Sequence, residues 1–216
     1  MSFIEVSSGV RERDVPLIMG QVLSLVAVAL GVCALATYLG RDLAFGTARI
    51  FSFAGLGLLL VQNFVAPLRR GGLGVFWLGL IAMAIGYGLG PFIAEYANTD
   101  PSAVTSAVGL TALTVFGCGA AGFAWSKDLK GWMKPLSYIV LGAVVISIGS
   151  LIFGGLGSLS PIVSIVILVV SALLILVDFN YVRKHATEDD VIWLATGIFV
   201  SIINIFISLL SLFGNR

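Results

Sequence analysis

The chain has 216 residues, 59% of them hydrophobic and 11% charged, with a mean hydropathy of +1.09, whereas an average soluble domain is about 25% charged. Such a composition excludes a water-soluble globule, which would have too little polar surface, and its apolar content excludes a disordered chain. Twelve basic against eleven acidic residues leave a formal net charge of +1, without the basic footprint of a nucleic-acid-binding protein, so the chain reads as an integral membrane protein.

Residues 1–14 are polar and show no helical apolar stripe, so they read as a cytoplasmic N-terminal tail ahead of a single transmembrane domain over 15–216. Crossing about 30 Å of hydrocarbon at 1.5 Å per residue takes about 20 apolar residues. Seven stretches of that kind follow in order: 16–40, 43–66, 73–96, 103–125, 136–155, 161–182 and 191–213. They are long and unbroken, without the alternation of barrel strands, which predicts an all-α bundle of seven transmembrane helices. The first span follows Arg11 and Arg13 and contains Ala34-Leu35-Ala36, like a signal peptide with its cleavage site. It is too long for a signal h-region of 7–15 residues, so a retained first helix is expected.

Alternate connections differ in charge. One set carries Arg11, Arg13, Arg69, Arg70, Lys127, Lys130, Lys134, Arg183 and Lys184, and the other only Arg41 and Arg216. The positive-inside rule then puts the N-terminus in the cytoplasm and the C-terminus outside. Trp77, Trp125, Trp132 and Trp193 all fall at or near the predicted cytoplasmic ends, where an amphipathic ring sits at the headgroup level.

Cys33 and Cys118 lie in the first and fourth spans with no second Cys or His nearby, and the single histidine, His185, sits in a basic loop. Zinc hydrolysis needs several ligands and a base, and an intramembrane serine protease needs a histidine within the spans. No enzyme and no resident cofactor are expected. Glycine is costly in helices but lets membrane helices approach closely. Gly86 and Gly90 in the third span, and Gly117, Gly119 and Gly122 in the fourth, therefore read as packing positions, and Pro91 predicts a bend near the end of the third span.

Charges inside spans usually face a partner or a water cavity. Arg49 and Glu95 lie near span ends and can snorkel. Asp178 lies deeper, in Leu176-Val177-Asp178-Phe179-Asn180-Tyr181-Val182, and its short side chain cannot. It is a candidate proton sensor or cation ligand, calcium included, with an ion pair to Arg69, Arg70 or Arg183 as the alternative. In the last span Ser201, Asn204, Ser208 and Ser211 recur at spacings of three and four, which puts them on one face. That stripe either lines a polar path beside Asp178 or hydrogen-bonds between helices.

Several motifs resemble the Bax inhibitor (TMBIM) family, and within it the bacterial YccA-type inner-membrane branch. They are Gly86-Tyr87-Gly88-Leu89-Gly90-Pro91-Phe92-Ile93, Thr111-Ala112-Leu113, Ser126-Lys127-Asp128-Leu129, Asp178-Phe179-Asn180, and the run from Val200 to Gly214 with its Asn-x-Phe-x-x-Leu-Leu-x-x-x-Gly frame. The resemblance implies six helices, arranged as hairpins, around a central seventh. It also implies two functional descriptions. One is a pH-dependent calcium leak closed by an aspartate pair in the sixth and seventh helices. The other is a modulator, and slow substrate, of the membrane-anchored ATP-dependent protease FtsH. Asp178 matches the first aspartate of the pair; the second position is Ser201, as in the YccA-type branch. The expectation is therefore an FtsH modulator of the bacterial inner membrane, with a cation leak at Asp178 as the alternative.

Overall fold

The computed structural model describes residues 14–153 and 161–214, the side chains of 144–153 excepted. The polar tail up to residue 13, with Arg11 and Arg13, the end of the fifth span near residue 155, and Arg216 lie outside the described residues. The described elements are helical: α1 (Val15–Leu39), α2 (Phe45–Phe64), α3 (Gly71–Thr99), α4 (Pro101–Ala124), α5 (Lys130–Phe153), α6 (Pro161–Lys184) and α7 (Val191–Gly214), with one-turn 3-10 segments at Ala66–Arg69 and Glu188–Asp190. Six helices, α1 to α4, α6 and α7, are long and apolar enough by composition to cross a membrane. The segment expected to begin at residue 136 starts its helix earlier, at Lys130, with Pro135 inside. Counting apolar residues finds only the hydrocarbon-deep part of a helix, and α5 begins with a turn and a half carrying Lys130 and Lys134.

Local chemistry explains the helix boundaries. Proline occupies the first turns of α1 and α4, where its missing N–H costs nothing. Asp100 caps α4, its carboxylate accepting from the Ala103 amide at 3.1 Å and from the Ser102 hydroxyl at 2.6 Å. Those bonds hold its pKa below the usual aspartate value. Gly71, at φ +60°, opens α3 in a left-handed conformation that L side chains adopt at a cost.

Large apolar side chains such as Phe64, Phe116 and Leu113 point outward, 86%, 79% and 68% exposed, as lipid-facing residues do. The core runs instead around α7, where Phe199, Leu194, Val22 and Ile81 are sealed from solvent. In its most apolar window 44% of α7 is buried, against 17% of α2, which makes α7 the inner helix. It packs on α6, α4, α1 and α3, while α2 packs chiefly on α3 and α5 on α6. Among the described residues α1, α3, α4 and α6 thus make the main contacts with α7, while α2 reaches it through Gln62 and Thr196. An apolar groove of about 1590 Å³ runs between α1 and α4, with Ile202, Ile203 and Phe206 of α7 among its lining residues.

Close approach explains several glycines. A Cβ at Gly86 would overlap the Cys33 carbonyl of α1, one at Gly90 the Gly40 backbone, and one at Gly122 the Leu176 carbonyl of α6. A Cβ at Gly117 would meet open space, and one at Gly119 would lie 3.1 Å from the Phe179 ring. Helix α3 continues through the buried Pro91 to Thr99.

Candidate functional site

The polar residues of α6 and α7 meet in one seam. On α6, Ser164, Ser171 and Asp178 stand at every seventh position; on α7, Gly197, Asn204 and Ser211 do the same. A seven-residue spacing keeps residues on the face turned to a neighbouring helix. Antiparallel packing sets Ser164 beside Ser211, with their hydroxyl oxygens 3.4 Å apart. Two heptads along, Asp178 faces Gly197, whose added Cβ would lie 3.6 Å from Asp178 Oδ2. Ser171 and Asn204 fall between these two layers. Ser171, Asp178, Ser201 and Ser208 are all buried. Ser201 stands one turn beyond Gly197 on α7, so the structure brings Asp178 to the stretch of α7 that begins the polar stripe.

The basic residues expected beside Asp178 have other partners. Arg69 donates from Nε to the Gln62 carbonyl at 2.8 Å and from its other guanidinium nitrogen to the Asn63 carbonyl. Arg70 pairs with Asp189 at 3.3 Å, and Arg183 donates to the Phe123 carbonyl. The ion pairs among the described residues are Arg41–Asp42 and Arg70–Asp189, with His185–Asp128 a hydrogen bond that is an ion pair only when the imidazole is protonated, and none includes Asp178. The reason is reach: these cations lie in or beside the connecting loops and find backbone carbonyls and loop acids there. Arg49 and Glu95 are exposed near the opposite end, in line with snorkelling. Calcium takes six to eight oxygen ligands, and the described residues hold no cluster of three His, Cys, Asp or Glu.

Two clasps that sequence reasoning missed tie down the basic end of the bundle. Asn180, fully buried on α6, accepts the Leu129 amide at 3.0 Å, and its two amide hydrogens are shared among the carbonyls of Gly122, Trp125 and Lys127 at 3.1–3.2 Å. Lys184 donates to the Ser126 carbonyl, and His185 Nε2 lies 2.7 Å from Asp128 Oδ2. The whole α4–α5 connection is thereby strapped to the end of α6. His185 is thus bonded within the protein. The Lys130 amide, then His185, hold the Asp128 carboxyl below its usual range. On the other side of α7, the buried Gln62 donates to the Leu68 carbonyl at 3.2 Å and to Thr196 Oγ1 at 3.3 Å. Trp77 donates to the Leu58 carbonyl at 3.1 Å, so this ring joins α2 to α3. An amide in a mostly apolar helix was the available signal for both Asn180, two residues from Asp178, and Gln62, next to Asn63.

The comparisons with known proteins agree with these motifs. The family described as "Inhibitor of apoptosis-promoting Bax1" matches residues 16–216. An uncharacterised protein of Pseudomonas aeruginosa is 29% identical over 96% of this chain and 93% of its own. A protein of Escherichia coli K12 named modulator of FtsH protease YccA is 34% identical over 60% of this chain and 59% of its own. A membrane protein of Vibrio cholerae is 28% identical over 89% of this chain and 85% of its own. The chain is a membrane protein of the Bax inhibitor family.

Proposed function

We propose that this protein is a non-enzymatic modulator of an FtsH-type membrane protease, acting as its inhibitor and slow substrate in the quality control of membrane proteins. The observation that carries the reading is the 34% identity to the Escherichia coli relative named as such a modulator. Ser201, at the position where the leak-channel pattern has its second aspartate, supports it. The protein works without a cofactor in the bacterial inner membrane, N-terminus inside and C-terminus outside; the basic loop residues support that orientation. The test is co-isolation with FtsH from solubilised membranes, combined with slower turnover of an FtsH membrane substrate when this chain is overproduced. Trimming about ten residues from the polar tail, where an unfoldase would begin, is expected to lengthen the protein's lifetime only in cells that contain FtsH. Absence of co-isolation together with unchanged turnover overturns the reading.

A second reading, a cation leak, is favoured by one observation: Asp178 is buried against Gly197 with no basic side chain paired to it. Membrane-embedded acids of this kind mark ion and proton paths. Calcium flux into liposomes that contain only this protein, lost on Asp178→Asn, is the result that would put this reading first.

A further inference from the structure

The middle layer of the α6–α7 seam lacks hydrogen bonds. Ser171 Oγ and Asn204 Nδ2 are both sealed from solvent and without a hydrogen-bond partner among the described residues. They occupy corresponding heptad positions between the Ser164–Ser211 layer and the Asp178–Gly197 layer, so the two orphan groups share one level of the seam. An unpaired buried polar group is costly, and an orphan in a native protein marks a missing partner such as a water or an ion.

The serine makes the case sharper. Hydroxyls in transmembrane helices commonly bond back to the carbonyl four residues earlier. Ser52, Thr111, Thr114, Ser137 and Thr196 all do so here, at 2.7–3.1 Å. Ser171 does not, although it is fully buried. Its hydroxyl lacks the bond to its own helix that those side chains make.

We propose that Ser171 and Asn204 form a binding site for one water molecule between α6 and α7. The chemistry selects water over a cation: an amide N–H needs an acceptor and would repel a positive ion, whereas water accepts from Asn204 and completes its bonding with the Ser171 hydroxyl. Water also tolerates either orientation of the amide, since it donates as readily as it accepts. With the water in place, the seam carries polar groups at three levels, Ser164–Ser211, Ser171–Asn204 and Asp178, spaced by about 10 Å along the helices. This inference rests on the seam and is independent of both functional readings.

The test combines thermal denaturation of the full chain in detergent with a high-resolution experimental structure. A shared water makes the two residues energetically coupled without direct contact. Ser171→Ala and Asn204→Leu then each lower the unfolding midpoint by about 2–4 °C, and the double variant loses clearly less than their sum, because one water is lost once. Density for a water within about 3 Å of both atoms in the unsubstituted protein is the direct counterpart and does not depend on the variants folding. Neutral or stabilising single variants with additive effects would show two dry orphan groups and overturn the proposal. So would a structure in which Ser171 and Asn204 bond to each other with no water between them.

Discussion

Glycines of similar sequence context carry opposite demands in this fold, and single-atom substitutions separate them. Gly117 and Gly122 are five residues apart on α4, yet a Cβ at Gly117 meets open space and one at Gly122 runs into the Leu176 carbonyl of α6. The obstacle is backbone, so it cannot swing aside as a side-chain tip could. Overpacking costs about 1–3 kcal/mol, and a backbone clash belongs at the upper end. Alanine at an open helical site gains up to about 1 kcal/mol in propensity. Gly122→Ala is therefore expected to lower the thermal midpoint by several degrees while Gly117→Ala leaves it equal or higher, measured side by side in one detergent. Equal effects would mean that α4 and α6 do not meet at Gly122. The GxxxG pair at Gly86 and Gly90 shows why such positions are readable: small residues four apart declare a close approach, but only the structure names α1 as the helix they admit.

At the scale of elements, the connection between α4 and α5 is better fixed than its polar sequence indicated. Asn180 supplies four bonds to it, and the Asp128–His185 contact closes its far side. The sign of the pH effect follows from Asp128, whose pKa is lowered in the folded state. Its stabilising bonds are complete above the unfolded aspartate value of about 3.9 and are lost as the pH falls through the lower folded value. As far as Asp128 governs it, proteolytic nicking of the 124–130 connection is expected to stay flat from neutral pH down to about 4 and to rise only in stronger acid. Asn180→Ala should expose it at every pH, since it leaves the buried Gly122 carbonyl unpaired at about 1–3 kcal/mol and frees the part-buried Leu129 amide and the Trp125 and Lys127 carbonyls. A loop equally protected in the variant would remove Asn180 as the clasp.

The helices themselves were legible because hydrocarbon thickness sets their length, and the observed ends of α1, α4, α6 and α7 fall within about two residues of those expected. The partners of polar residues were not. A sequence shows that Arg69, Arg70 and Arg183 share an end with Asp178, but their bonds to loop carbonyls and to Asp189 depend on how the chain turns there. Asn180 stands two residues from Asp178, but its reach to the Leu129 amide and the end of α4 depends on how the α4–α5 connection folds back on α6.

Across the whole molecule, the basic connections behave as one unit. Arg70 of the α2–α3 turn pairs with Asp189 of the α6–α7 turn, and α6 straps down the α4–α5 connection through Asn180, Arg183, Lys184 and His185. These three turns are bound together at one end of the bundle, so they must lie on the same side of any membrane the bundle crosses. The positive-inside rule assigns that side to the cytoplasm from their lysines and arginines. A reporter placed between Lys127 and Lys134 is then expected to be active only inside the cell, and one fused after Arg216 only outside. Reporters in the three basic turns that disagreed with one another would contradict the interlocked end. Agreement among them, with a C-terminal reporter active inside, would instead leave the end intact and show that one of the long helices enters and leaves the bilayer on the same face.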